Sequence, residues 1–140
     1  MVKINSIVLI LLILLSSVTG KADQNASAAA MSAVIRTQLD AFAHNDAVKA
    51  YAQASPRVQS IFPTAEIFMA MVRNGYSALI TPAFVSFLDV VDDSGRPVVR
   101  VLVEGQDGRR WMAFYTMVQL DDTTWRIGGC FLTKLSVESA

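Results

Sequence analysis

The only cysteine, Cys130, lies in the stretch WRIGGCFL from Trp125 to Leu132. The only histidine, His44, lies between Asp40 and Asp46. A thiol acts as nucleophile or metal ligand only as thiolate, which needs an accessible and electropositive setting. Arg126, four residues back along the strand, and Arg100, two strands away, are the cations this sequence offers. Against them stands the usual lot of a free cysteine, a small buried hydrophobe, and that is the reading adopted. One histidine and one cysteine cannot build a multi-histidine or multi-cysteine metal site, so neither a metal nor a cofactor is expected. His44 with Asp40 and Asp46 reads as solvated polar groups at a helix end, and His44 or Asp46 is the base an enzymatic reading would need. No serine stands in a nucleophile-elbow sequence. Asp92-Asp93 and Asp121-Asp122 fall in turn-forming runs. Gly128-Gly129 lies inside a strand pattern, where it marks a bulge or a close approach.

Two tyrosines carry more promise. Tyr51 and Tyr76 come from the helical half and are expected to aim their hydroxyls inward. With Ser86, Thr116 and the Trp125 indole they would line a pocket of aromatic walls and neutral hydrogen-bonding groups, the composition suited to a small apolar ligand.

The elements that must position these groups follow from periodicity. Met31, Ile35, Leu39 and Phe42 recur at helical spacing, with Val34 and Gln38 beside them. Asp46 and Thr64 are the helix caps expected next, Ser55 before Pro56 is expected to end one short helix with Pro56 in the first turn of another, and Asn74-Gly75 is the expected stop, with the glycine left-handed. From about residue 84 the pattern alternates in four runs separated by DDSGRP, GQDG and DDTT. Helices first and an antiparallel meander second predict an α+β fold, with N-terminal helices packed on one face of a four-stranded sheet.

Two-residue turns at Ser94-Gly95, Asp107-Gly108 and Asp121-Asp122 would place Asp89 opposite Arg100, Arg100 opposite Tyr115, and Tyr115 opposite Gly128. In that register the inner face holds Ser86, Leu88, Val90, Val99, Val101, Val103, Met112, Phe114, Thr116, Val118, Trp125, Ile127, Gly129 and Phe131. The outer face mixes Phe87, Cys130 and charged pairs with Trp111, Tyr115, Met117 and Leu132. Those last four are the interface candidates, aromatic and apolar anchors inside a polar rim.

Composition excludes some roles. Lys plus Arg and Asp plus Glu number 12 each. Beyond the first twenty residues, whose one charge is Lys3, 11 basic residues face 12 acidic ones, which gives no electrostatic footprint for nucleic acid. Lys3, the apolar run IVLILLILL and the small residues of SSVTGKA follow the order of a secretory signal. The run is short for a membrane span of about 20 residues. Residues 1–22 are therefore read as a signal peptide and residues 27–135 as one domain. The mature protein is expected in the periplasm or secreted, with no membrane attachment after cleavage.

The blocks IRTQLDAFAHNDAVKAYAQASPRVQSIF, FMAMVRNGY and YTMVQLDDTTWRIGGCFL resemble an uncharacterised bacterial family, a domain of unknown function within the nuclear transport factor 2-like (cystatin-like, SnoaL-like) superfamily. The resemblance implies a cone, a curved antiparallel sheet wrapped round the helices, often with an internal pocket and often dimeric. It implies no activity, and fold alone supplies none. Three functions are therefore weighed. The first is a non-catalytic exported module holding a small, mostly apolar ligand. The second is an interaction protein that forms a homodimer, or binds a partner, through the mixed sheet face. The third, ranked below both, is an enzyme using the cone cavity.

Overall fold

The computed structural model describes residues 16–136. The basic and apolar parts of the expected signal peptide lie outside the described residues. Four helices come first: α1 (Ser16–Ala43), α2 (Ala47–Ala52), α3 (Pro56–Ile61) and α4 (Ala65–Gly75), followed by a 3-10 turn at Ser77–Leu79. Four strands follow: β1 (Phe84–Asp93), β2 (Arg96–Glu104), β3 (Arg110–Gln119) and β4 (Trp125–Lys134), in one antiparallel sheet of order β1-β2-β3-β4. Among the described residues, no helix is long and apolar enough to cross a membrane.

Each helix boundary has a local cause. α1 already runs before residue 27, because the alanine-rich run favours helix and a single glycine, Gly20, costs only about 1 kcal/mol. It stops at Asn45, whose φ of 54° is left-handed. The Asn45 N–H donates to Phe42 O and the Asp46 N–H to Ala41 O, a Schellman ending. Asp46 then caps α2 by accepting from the Lys49 N–H. Ser55 caps α3 with Pro56 in its first turn, and Thr64 caps α4. Gly75 does not take the expected left-handed angles. It stays within α4, which closes through Tyr76 N–H to Val72 O.

The sheet register differs from expectation at two of three hairpins. Between β1 and β2, Asp93 pairs with Arg96 across Ser94 and Gly95, both left-handed, as a two-residue type I′ turn requires. Between β2 and β3 the loop has three residues, Gln106 to Gly108. Gly105 N–H donates to Arg109 O, and Gly108 sits at φ +77°. Between β3 and β4 the loop is Asp121 to Thr123, closed by Leu120 N–H to Thr124 O, with Thr123 at φ 71°. Both have the form of a type I turn followed by a left-handed residue.

One extra loop residue exchanges the two faces of the strand that follows. Trp111, Ala113, Tyr115 and Met117 therefore lie on the face that carries Val99, Val101 and Val103. Tyr115 and Met117 are fully buried, and Trp111 and Leu132 pack against the same core. The four interface candidates thus belong to the interior.

Two bulges complete the picture. In β1 the register shifts between Phe87 and Val90, so Leu88 and Asp89 oppose Arg100 alone. Phe87 faces inward, against expectation, while Ser86 faces outward with Leu102. The Asp89–Arg100 pair forms as expected, with two hydrogen bonds of 2.6 and 2.8 Å. The guanidinium holds the Asp89 carboxyl below its ordinary range. In β4 the shift falls at Gly128, between the pairs Thr116–Gly129 and Met117–Ile127. A side chain at Gly128 would meet Val118 Cγ1 at 3.1 Å, which is why glycine stands there. Beyond this bulge Cys130 and Leu132 turn inward, and Gly129 and Phe131 turn out. The outer face also collects Phe84, Met112, Phe114 and Val118, with the rings of Phe114 and Phe131 6.4 Å apart.

The free side of β4 is partly covered. Ile127 donates to Gln53 O and accepts from Ser55 N–H, both at 2.9 Å, so residues 53–55 run beside it as a short parallel strand.

A left-handed conformation costs an ordinary residue about 1–2 kcal/mol. Thr123→Gly is expected to raise stability by about 1 kcal/mol, net of the greater freedom of an unfolded glycine. Gly128→Ala is expected to lower it by about 1–3 kcal/mol through overpacking against Val118. Urea unfolding of the two variants checks both signs.

Candidate functional site

An opening of about 300 Å³ lies between the helices and β4. α1 contributes Gln38 and Phe42, α3 contributes Val58 and Ile61, and α4 contributes Phe68, Met71 and Val72. Tyr76, Leu79, Ile127 and Cys130 complete most of the lining. None of the lining side chains is a carboxylate, histidine, lysine or arginine. Phe68 is the hub of one wall, with its ring centroid 6.4 Å from Phe42, 6.4 Å from Phe62 and 5.6 Å from Tyr51. Rings at such spacings attract one another beyond the burial of their area.

Three hydrogen bonds hold the frame. The buried Gln38 amide nitrogen donates to Ala50 O at 3.1 Å and ties α1 to α2. The Tyr51 hydroxyl donates to Phe62 O at 2.6 Å and binds the end of α3 to α2. The Tyr76 hydroxyl donates to Cys130 O at 3.0 Å and fastens the end of α4 to β4.

The five expected pocket residues are therefore not brought together. Tyr76 lines the opening. Tyr51 stands behind it, its hydroxyl engaged with backbone. Trp125 lies in a separate, open trough between the N-terminal half of α1 and β1, where the Arg36 guanidinium sits 4.0 Å from the Phe87 ring centre. Ser86 and Thr116 lie on the outer face of the sheet, because of the β1 bulge and the shift of β3. Phe42, Phe62, Phe68, Met71 and Gln38 were missed. The one signal for them was a glutamine embedded in the apolar stripe of α1, where a polar side chain must find a buried partner.

Cys130 sits directly across from Tyr115 on the inner face. The residue keeps some accessible surface, and burial pushes the thiol up to about 12. The Tyr115 phenol is likewise pushed well above its ordinary value by burial, with Cys130 adding to the effect. Its hydroxyl is fully buried and has no hydrogen-bond partner. The thiol beside it is only a weak acceptor. Cys130 therefore fills space, as the sequence suggests. His44 is exposed, its Nδ1 2.9 Å from Asp40 O. Asp46 is taken up in capping α2, and neither residue lines the opening. Among the described residues, no three His, Cys, Asp or Glu side chains gather as a metal site would require.

The buried thiol sets an alkaline limit. Cysteine in the unfolded chain ionises near pH 8.5–9, while the folded thiol keeps its proton to about 12. Between those values the unfolded state binds fewer protons, so stability is complete below about pH 8.5 and falls as pH rises, by up to about 1.4 kcal/mol per unit. Tyr115 and Tyr76, both raised, steepen the loss above pH 10. Cys130→Ala is expected to flatten the segment between pH 9 and 10 and leave the later fall. Urea unfolding at stepped pH reads this directly.

No curated protein and no solved structure matches the chain. A family model matches residues 24–140, a span that includes every residue lining the opening and all four strands. The chain belongs to the family described as a domain of unknown function, DUF4864.

Proposed function

We propose that this protein is an exported, non-catalytic module that holds a small, mostly apolar molecule between α3, α4 and β4. The observation that carries the reading is the opening of about 300 Å³, walled by aromatic and aliphatic side chains without a charge. Binding pockets begin at about this size. Acid–base chemistry needs a group that titrates near the working pH. The titratable groups on these walls, Cys130 and Tyr76, are both moved away from neutrality by burial. Export, to the periplasm or the medium, rests on the pattern of residues 1–22. The cone of the nuclear transport factor 2-like superfamily belongs to the same proposal. The helices-then-meander order and the two bulges, which bend and twist strands, support it.

The neutral fluorophore N-phenyl-1-naphthylamine tests the pocket. Its emission is expected to rise and shift to the blue with the purified protein. Met71→Trp, which fills the opening, is expected to weaken binding at least tenfold at an unchanged melting temperature. A wild-type protein that leaves the fluorophore's emission unaltered would sink the proposal.

A second reading keeps the interaction role but moves it to other residues. Phe131 is 65% exposed and Phe84 53%, on the outer face that also carries Phe114. A homodimer through this face would cover an apolar patch of a kind that monomers seldom expose. Sedimentation equilibrium is expected to give a dimer that Phe131→Ser disrupts. A monomer at every concentration rejects this reading.

A further inference from the structure

We infer that the molecule held in this pocket is neutral and carries a hydrogen-bond donor, a hydroxyl or an amide N–H, received by the side-chain oxygen of Gln38. The inference rests on the pocket reading above and deepens it.

Gln38 is 4% exposed and borders the opening. Its amide nitrogen donates to Ala50 O. A backbone carbonyl can only accept, so the amide cannot be turned round, and the orientation of Gln38 is fixed by chemistry. The Gln38 oxygen therefore points away from Ala50, and no donor to it is found among the described residues. Yet the fully enclosed side-chain polar atom left without a partner is the Tyr115 hydroxyl, not this oxygen. The Gln38 oxygen thus keeps contact with open space, and the space that Gln38 borders is the pocket. Tyr76 points the same way: its hydroxyl hydrogen is spent on Cys130 O, which leaves its oxygen as an acceptor.

The oxygens that Gln38 and Tyr76 present to these apolar walls are thus acceptors. A carboxylate or phosphate would meet acceptor lone pairs with no cation to offset them. An ammonium could donate, but would lose its water without gaining a counter-charge. Either ion leaves water at a cost the pocket does not offset. A neutral donor satisfies the Gln38 oxygen, and a ligand with acceptors alone leaves it dry and unpaired. One neutral hydrogen bond is worth about 0.5–1.5 kcal/mol, or roughly three- to tenfold in affinity.

The test uses two isomers, nonan-1-ol and methyl octyl ether, which have the same atoms and differ in having a donor. Each competes with N-phenyl-1-naphthylamine for the wild-type protein, alongside nonanoate and nonylammonium. The alcohol is expected to displace the fluorophore at roughly three- to tenfold lower concentration than the ether, and both ions more than tenfold less well than the alcohol. Gln38→Met is expected to abolish the preference for the alcohol over the ether. The isomer pair on wild-type protein decides the matter even if that variant does not fold. Equal affinities, or a tighter ether or carboxylate, overturn this inference and leave the pocket standing. A protein that binds neither the fluorophore nor any of the four competitors overturns both.

Discussion

Side chains alternate from face to face along a strand, so the length of a hairpin loop decides what lies beneath the helices. Here that constraint rests on two left-handed residues, Gly108 and Thr123. Each closes a three-residue loop. The first turns Tyr115 and Met117 inward and sends Phe114 to the other side, the second returns Ile127 to the inner face, and the Gly128 bulge then turns Cys130 and Leu132 inward and Phe131 out. The buried core, the position of the thiol and the character of the outer sheet face descend from those two loops and that bulge. Gly108 is a natural occupant of such a position. Thr123 is not, and the Asp122 carboxylate, which accepts from the Thr124 backbone and side chain, helps to hold it there.

The order of elements was legible because its signals are local. Asp46, Ser55 and Thr64 each accept a backbone N–H within three residues, and Ser94-Gly95 is a turn whose chemistry is written in its own two residues. The face of β3 was not legible. GQDG and DDTT accommodate two- or three-residue loops with almost the same residues, and one step reverses the whole strand. The inner positions of β2 came out correctly because their register follows from the legible turn. Of the five expected pocket residues only Tyr76 borders the opening, because an aromatic after the last helix has to pack where helix meets sheet. The cluster round Phe68 was not legible, because it joins α1, α2, α3 and α4 across distances that no periodicity encodes.

Tyr115 and Cys130 show what dense packing costs. A fully buried hydroxyl without a partner carries a penalty of about 1–3 kcal/mol, and the thiol opposite returns little of it. Burial of the Tyr115 ring at the centre of the sheet's inner face outweighs that loss, since a large aromatic contributes several kcal/mol by leaving water. A few ångströms away the chain does the reverse. It leaves an opening unfilled and braces the wall with stacked rings instead of closing it. Full packing and vacancy thus share one strand and meet at Cys130, which stands across from Tyr115 and borders the opening.

Ser55 gives this arrangement a mechanical property. Its side chain caps α3, while its backbone N–H holds Ile127 on the rim of the sheet. α3 carries Val58 and Ile61 of the opening. An outward displacement of α3 would therefore pull on the two backbone bonds of Ile127. The position of α3 and the pairing at the sheet's rim are thus coupled through Ser55.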